Sequence, residues 1–377
     1  MSQVYEFIKD GLEKFPDSSI FHTELRGHCL KLNELLNNVT IPDYNEHLQK
    51  NAKAIRNEIA WLNISIRDSL FIDLSEIVNL VNSFQLDRKI YTRDHYYHSI
   101  QCFLLSIALF NNYHSFPQPP EDIIAILYSL TMFHDIGYLY KSKEITEDKI
   151  NKYFMDLFLS DINTDRKFDL LCLWEEDFQS SEVRRAICDS TNNSNDIAHI
   201  WSSEEEIKNR ALSKIGIEPA KIPGKCKEGH AYKGALLLAR ISMTKSLVLD
   251  LCASEFLIDI HNEKNNWFNE IVIAIYNHSR EPSSPLLNIT KDFYSFYLMI
   301  IDELQTYGRL LSKDIKYTLI NPRDVGFHWD TANPKKLVLD IIPQKAGLVK
   351  KCNAHDRSMI KQKLVKKINE GLLGLYL

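Results

Sequence analysis

Apolar residues recur three and four apart along most of the chain, the spacing of a helix with one buried face. Ile55, Ile59, Leu62 and Ile66 show it in the first third. Pro16-Asp17-Ser18-Ser19 and Pro42-Asp43 interrupt the pattern as turns that cap helices. The spacing predicts helices near 3–14, 20–38, 43–66 and 71–85. Another is expected from Asp94 or Thr92 to Phe110, with Ile100, Phe103, Leu104, Ile107 and Ala108 inward. After Pro117-Gln118-Pro119-Pro120, the acidic pair Glu121-Asp122 suits a helix start. The run 123–133 that follows is predominantly apolar and reads as a buried helix. Segments 229–249, 267–277 and 292–310 complete the helical series. Beyond Lys313 the pattern changes to short strands at 316–321, 325–329 and 336–342, closed by a polar helix near 356–372. The expected fold is mainly all-α with a small β-containing C-terminal appendage.

Composition narrows the class. With 377 residues, 45% apolar and 25% charged, the chain can bury one large core with additions, or two domains. A net charge of -5 provides no global field toward nucleic acid or anionic membrane, so no strong nucleic-acid signal exists. A small phosphorylated molecule needs only a local basic pocket. The seven cysteines (29, 102, 172, 188, 226, 252, 352) are scattered and form no C-x-x-C, which suits a reducing cytosol. The N-terminus MSQVYEFIKDGLEKF lacks the basic start and apolar core of a signal peptide. The longest apolar tract, 234–252, carries Arg240, Lys245 and Asp250 and reads as a core helix. A cytoplasmic, soluble protein with no membrane partner is expected, and a homo-oligomer is left open.

Candidate chemistry gathers at Phe133-His134-Asp135-Ile136-Gly137-Tyr138, with Gly137 expected as a cap or turn. Two adjacent metal-binding side chains at the end of a buried helix are hard to explain by packing. Arg93-Asp94-His95-Tyr96-Tyr97-His98 precedes them, and His230, His278 and Asp302 follow on helix-like segments. The order H…HD…H…H…D resembles the HD-domain superfamily, an all-helical metal-dependent fold, in its six-ligand, two-metal form. The resemblance spans roughly residues 91–311. With it the chain divides into an N-terminal helical cover at 1–88, an HD metal-binding catalytic domain at 89–312 and the appendage at 313–377. A helical insert at about 140–227 is a lid, a specificity element or plain surface decoration.

The resemblance implies that His98, His134 and Asp302 hold one ion and that His230 and His278 hold another. Asp135 is the expected bridge, because a carboxylate has two oxygens. Such donors suit two divalent transition metals among Mn, Fe, Zn, Co and Ni. A bridging hydroxide would then attack a phosphate ester or anhydride, with a nucleotide or related small molecule as the expected substrate. The His-His-Glu and Gly-Tyr-Pro signature of HD-GYP phosphodiesterases is absent, so that branch is not implied. The same ligand order holds two irons in myo-inositol oxygenase and its phosphonate-cleaving relatives. An HD-type di-iron oxygenase is therefore the alternative, and a nucleotide-sensing regulatory module is the third class.

Individual positions leave choices open. His95 and His98 lie one helical turn apart; the family pattern favours His98 as ligand and leaves His95 to contact substrate. Small residues flank His230 in Gly229-His230-Ala231-Tyr232-Lys233-Gly234-Ala235 and allow close approach. His278, at a helix C-terminus, is a ligand or a complement to the helix dipole. Asp302, among Leu298, Ile300, Ile301 and Leu304, requires a partner. Gln305 and Arg309 share its helical stripe as a substrate-binding wall. Arg309 is a catalytic fork for phosphate or a structural salt bridge. Lys233, one turn past His230, reaches a metal-held phosphate or is simply solvated. Arg93 and Lys141 are weaker substrate-binding candidates. His22, His28 and His47 are expected at the surface or in packing.

Overall fold

Glycine-poor segments with an apolar stripe fold as helices. The computed structural model describes residues 3–17, 21–38, 44–66, 95–111, 123–141, 147–148, 150–152, 199–222, 224–227, 229–252, 255–278, 292–305, 325–329 and 337–341. The described part is mainly α-helical. It divides into two compact units. The first contains α1 (Gln3–Lys14), α2 (Thr23–Asn37), α3 (Tyr44–Ile66), α4 (His95–Asn111) and α5 (Ile123–Phe133). The second contains a 3-10 segment (Ile136–Lys141), α6 (Glu205–Lys214), α7 (Gly224–Lys227), α8 (His230–Cys252) and α9 (Glu255–His278). Later in the chain, α10 (Phe293–Leu304), β1 (Val325–Trp329) and β2 (Leu337–Ile341) belong to the first unit.

In the first unit α1 buries Val4, Ile8 and Leu12, positions that repeat at helical spacing. It crosses α4 at Gly11, where a Cβ would fall 2.5 Å from the Ala108 Cα, so no larger residue permits this approach. Arg26 on α2 donates to the carbonyls of Leu12 (3.1 Å) and Phe15 (2.7 Å), occupying acceptors that the end of α1 leaves without helical partners. α2 packs on α3. There His28 Nδ1 meets Glu58 at 2.7 Å and the ring stacks on Trp61, while His47 Nε2 lies 2.7 Å from the Leu35 carbonyl oxygen. Both histidines hold helices together.

α4 and α5 are apolar nearly all round and correspondingly buried. Phe103 and Tyr128 join them edge to face at 5.1 Å. α10 is fixed to α4 by the Tyr297 hydroxyl, which donates to the Ser106 carbonyl at 2.5 Å, and by Phe293 and Tyr297 around Phe110. β1 and β2 pair antiparallel, Val325 opposite Ile341 and Trp329 opposite Leu337, and β1 packs on α1.

In the second unit α8 is central, packed by α9, by α6 and by the 3-10 segment. Arg240 is completely buried on it. Its guanidinium donates to Asn151 Oδ1 (3.0 Å) and the Ser202 carbonyl (2.5 Å) and lies over the Trp201 ring. Burial lowers its pKa. Trp201 is buried too, and its Nε1–H donates to Thr244 at 3.1 Å. This stretch of the insert is therefore core rather than decoration.

Two boundaries differ from the periodicity reading by more than three residues. α9 begins at Glu255 instead of near 267, because EFLIDIHNEKNN is polar yet helical. α10 ends at Leu304, with Gln305 in the turn that follows. The expected elements at 71–85, 316–321 and 356–372 lie outside the described residues. Among the described residues no helix is long and apolar enough to cross a membrane.

Candidate metal centre

The second unit collects four of the predicted ligands. α5 stops at Phe133, His134 and Asp135 form a turn, and the Tyr138 N–H donates to the Asp135 carbonyl at 3.0 Å to start the 3-10 segment. That segment lies against the first turns of α8. A Cβ on Gly137 would fall 1.8 Å from the His230 carbonyl oxygen and 2.6 Å from the Gly234 nitrogen. Gly137 was expected as a cap or turn, but Gly216 is the glycine with positive φ among the described residues. What position 137 requires is the absence of a side chain. Gly234 is its counterpart, since a Cβ there would lie 3.2 Å from the Gly137 nitrogen.

This backbone contact brings Asp135 to His230 and to His278, the last residue of α9. Asp135 Oδ1 lies 3.5 Å from His230 Nε2 and 3.9 Å from His278 Nε2, and the two Nε2 atoms are 3.1 Å apart. Asp135 Oδ2 is 3.4 Å from His134 Nε2. The rings of His134 and His278 meet edge to face at 5.4 Å. Tyr138 stacks on His230 with centroids 4.1 Å apart. Solvent reaches the cluster from the His230 side: its side chain is 14% exposed, against 6% for Asp135 and 1% for His278.

Hydrogen bonding sets one tautomer here. His278 Nδ1 donates to the Ile275 carbonyl at 2.5 Å, an acceptor otherwise left open at the end of α9. Its Nε2 is then a lone pair aimed at the other donors. Ligand atoms of Asp135, His230 and His278 all lie within 4.8 Å of one another. Imidazole lone pairs facing a buried carboxylate are stable only when a cation, proton or metal, is shared among them. The nitrogen-and-oxygen donor set fits a divalent transition metal.

The first unit holds the remaining two predicted ligands as a pair of their own. His98 Nε2 lies 3.0 Å from Asp302 Oδ1, with the two side chains 2% and 20% exposed. Asp302 thus has the partner its apolar surroundings demanded. Gln305 is fully buried, with Oε1 against His98 Nδ1 and its amide nitrogen donating to Gln101 Oε1 at 2.5 Å. Cys102, one turn after His98, has its sulfur 3.6 Å from Nδ1.

Lys233 is half-buried in the first turn of α8, its N–H donating to the Gly229 carbonyl. Burial pushes the neighbouring Tyr232 hydroxyl up to about 12, with Glu205 and Glu147 adding to the shift. His95 opens α4 and Lys141 ends the 3-10 segment, but their side chains, with Arg93 and Arg309, lie outside the described residues. Sequence reasoning missed Gln101, Cys102 and Tyr138, and two buried asparagines, Asn33 and Asn37. A signal existed for the asparagines. They occupy the same stripe of α2 as Leu25, Cys29, Leu32 and Leu36, where an amide has no reason to be unless it bonds inside.

No protein-family model matches this chain, and comparison with curated proteins and with solved structures gave no match.

Proposed function

We propose that the chain is a metal-dependent phosphohydrolase of the HD type, acting on a phosphate ester or anhydride of a small molecule such as a nucleotide. The observation that carries this reading is the convergence of Asp135, His230 and His278, with His134 on the other carboxylate oxygen. A bound divalent ion would supply Lewis acidity and lower the pKa of water toward neutrality. Asp135 has its two oxygens in separate imidazole environments, the arrangement needed to link two ions. His278 is held as a ligand by its bond to Ile275, and Tyr138 keeps the His230 ring in plane by stacking. Lys233, one turn along α8 from His230, is the cation this reading assigns to phosphate oxygens. The His98–Asp302 pair offers the same donor types, and a metal count reads whether it holds an ion as well.

The test is phosphate release from a panel of nucleotides and phosphoesters, run with manganese, iron, zinc, cobalt and nickel. Metal-dependent release that disappears with chelator is the expected result. Folded protein that retains no metal, or that retains metal and cleaves no member of the panel, overturns the proposal.

A further inference from the structure

The buried amides of the first unit form one continuous chain with a fixed direction. His98 Nδ1 contacts Gln305 Oε1. The Gln305 amide nitrogen donates to Gln101 Oε1 at 2.5 Å, and that of Gln101 to Asn37 Oδ1 at 3.3 Å. Asn37 Nδ2 donates to Asn33 Oδ1 at 2.9 Å, and Asn33 Nδ2 to the Tyr5 carbonyl at 2.9 Å. The path runs α4, α10, α4, α2, α1. His98, Gln305, Gln101, Asn37 and Asn33 are each at most 2% exposed, so water does not compete for these groups.

The end of the chain decides its polarity. An amide side chain can turn over and exchange its donor and acceptor ends, so its orientation follows from its partners. The Tyr5 carbonyl can only accept. Asn33 must therefore present nitrogen to it and oxygen to Asn37, which must answer with nitrogen. The same requirement passes through Gln101 to Gln305, whose oxygen then faces His98. His98 must donate from Nδ1. Nε2, 3.0 Å from Asp302, then shares a proton with the carboxylate or offers its lone pair to a metal.

We infer that Asn33, Asn37, Gln101 and Gln305 are positioning residues that keep a proton on His98 Nδ1, with the first helix as anchor. The N-terminal helices thereby set the chemistry of His98. The functional meaning, a ligand nitrogen kept open for metal, rests on the proposed function; the Nδ1 proton does not. Gln305 consequently acts through His98.

The experiment is long-range 1H–15N NMR of metal-free, full-length protein labelled at histidine nitrogen, which reads a proton at Nδ1 and at Nε2 separately. The His98 signals are identified by their loss in His98→Gln. Wild-type His98 is expected to be protonated at Nδ1, with or without a second proton shared between Nε2 and Asp302. Gln101→Leu removes the donor and acceptor in mid-chain and should leave Nδ1 bare, with the proton on Nε2, where Asp302 accepts it. Gln101→Glu still accepts from Gln305 and should restore Nδ1–H. If Gln101→Leu does not fold, Asn37→Leu breaks the next link and should give the same shift. A wild-type His98 with no proton on Nδ1 overturns the inference, as does an Nδ1 proton that survives the broken chain. Because the sample contains neither metal nor substrate, failure here is distinct from failure of the hydrolase reading.

Discussion

His98 in the first unit and His278 in the second are both buried, and both point Nε2 at an aspartate. They are oriented by opposite means. His278 gives its Nδ1 proton to a backbone carbonyl three residues earlier in its own helix, so any sequence that folds α9 orients the ring. His98 depends on four amide side chains drawn from three helices and on a carbonyl of a fourth. The first arrangement is local and insensitive to side-chain substitution. The second is tertiary, so the helices it crosses must all be in register. A buried polar network of this kind rigidifies when complete and destabilises when one member is lost.

The sharpest way to separate the two regions is Asp135→Ala. Oδ1 of this residue faces two imidazoles and Oδ2 a third, so its removal should strip bound metal from the second unit and abolish phosphate release. Helical circular dichroism and the His98 tautomer should remain those of wild type. Elemental analysis with the NMR measurement checks both halves. Full metal content and activity in the folded variant would remove Asp135 from the site.

Gly137→Ala attacks the same region through the backbone. Its new methyl group would overlap the His230 carbonyl oxygen, and a main-chain atom cannot rotate away. We expect a loss of about 3 kcal/mol or more, at the upper end for overpacking, read as a lower denaturant midpoint. The damage should include the His230–Asp135 contact. A variant with wild-type stability would show that the 3-10 segment and α8 are not in this close contact.

These two predictions touch what the sequence made visible. The His134-Asp135 pair, the small residues around His230 and the apolar runs of α4 and α5 are local patterns, and local patterns survive in a single sequence. The helices expected at 3–14, 43–66 and 123–133 were legible for the same reason, and the structure has them at 3–14, 44–66 and 123–133. The amide chain was not. Asn33 and Gln305 are far apart in sequence, and nothing in either neighbourhood names the other. Gln305 was read from its stripe as a substrate-binding residue, whereas its burial and both its partners depend on how α10 meets α4. Gly137 is a third type of case. Its glycine was conspicuous, but the close approach that requires it is made by residues of a helix near 230.

Gln305→Leu tests the tertiary arrangement at the joint that touches His98. The substitution keeps approximate volume but takes away the oxygen that meets His98 Nδ1 and the amide that donates to Gln101 Oε1, at a cost of about 1–3 kcal/mol each. If His98 holds metal, affinity for an ion at that position should fall about 10–100-fold, the usual penalty for removing the group that orients a ligating histidine. Titration calorimetry with manganese or zinc, run beside wild type, reads this loss. An affinity unaltered at every site would mean that His98 binds no ion or needs no orientation.

The smallest effect belongs to the local arrangement, and its smallness is the point. Ile275 is fully buried, so Ile275→Val removes one methyl group from the core and should lower stability by about 0.5–1.5 kcal/mol. The acceptor for His278 is the main-chain oxygen of residue 275, which valine carries as isoleucine does. His278 should remain in the Nδ1–H form, and metal affinity should stay within about twofold, since the groups that orient this ligand are intact. Side-chain identity at 275 and ring orientation at 278 are in this way separable, whereas at Gln305 the orienting group is the side chain itself. The comparison can be read in one set of histidine-labelled samples, Ile275→Val beside Gln305→Leu. A His278 ring that changed tautomer in Ile275→Val would show that packing of the isoleucine, and not the carbonyl, holds it, and the distinction between the two regions would collapse.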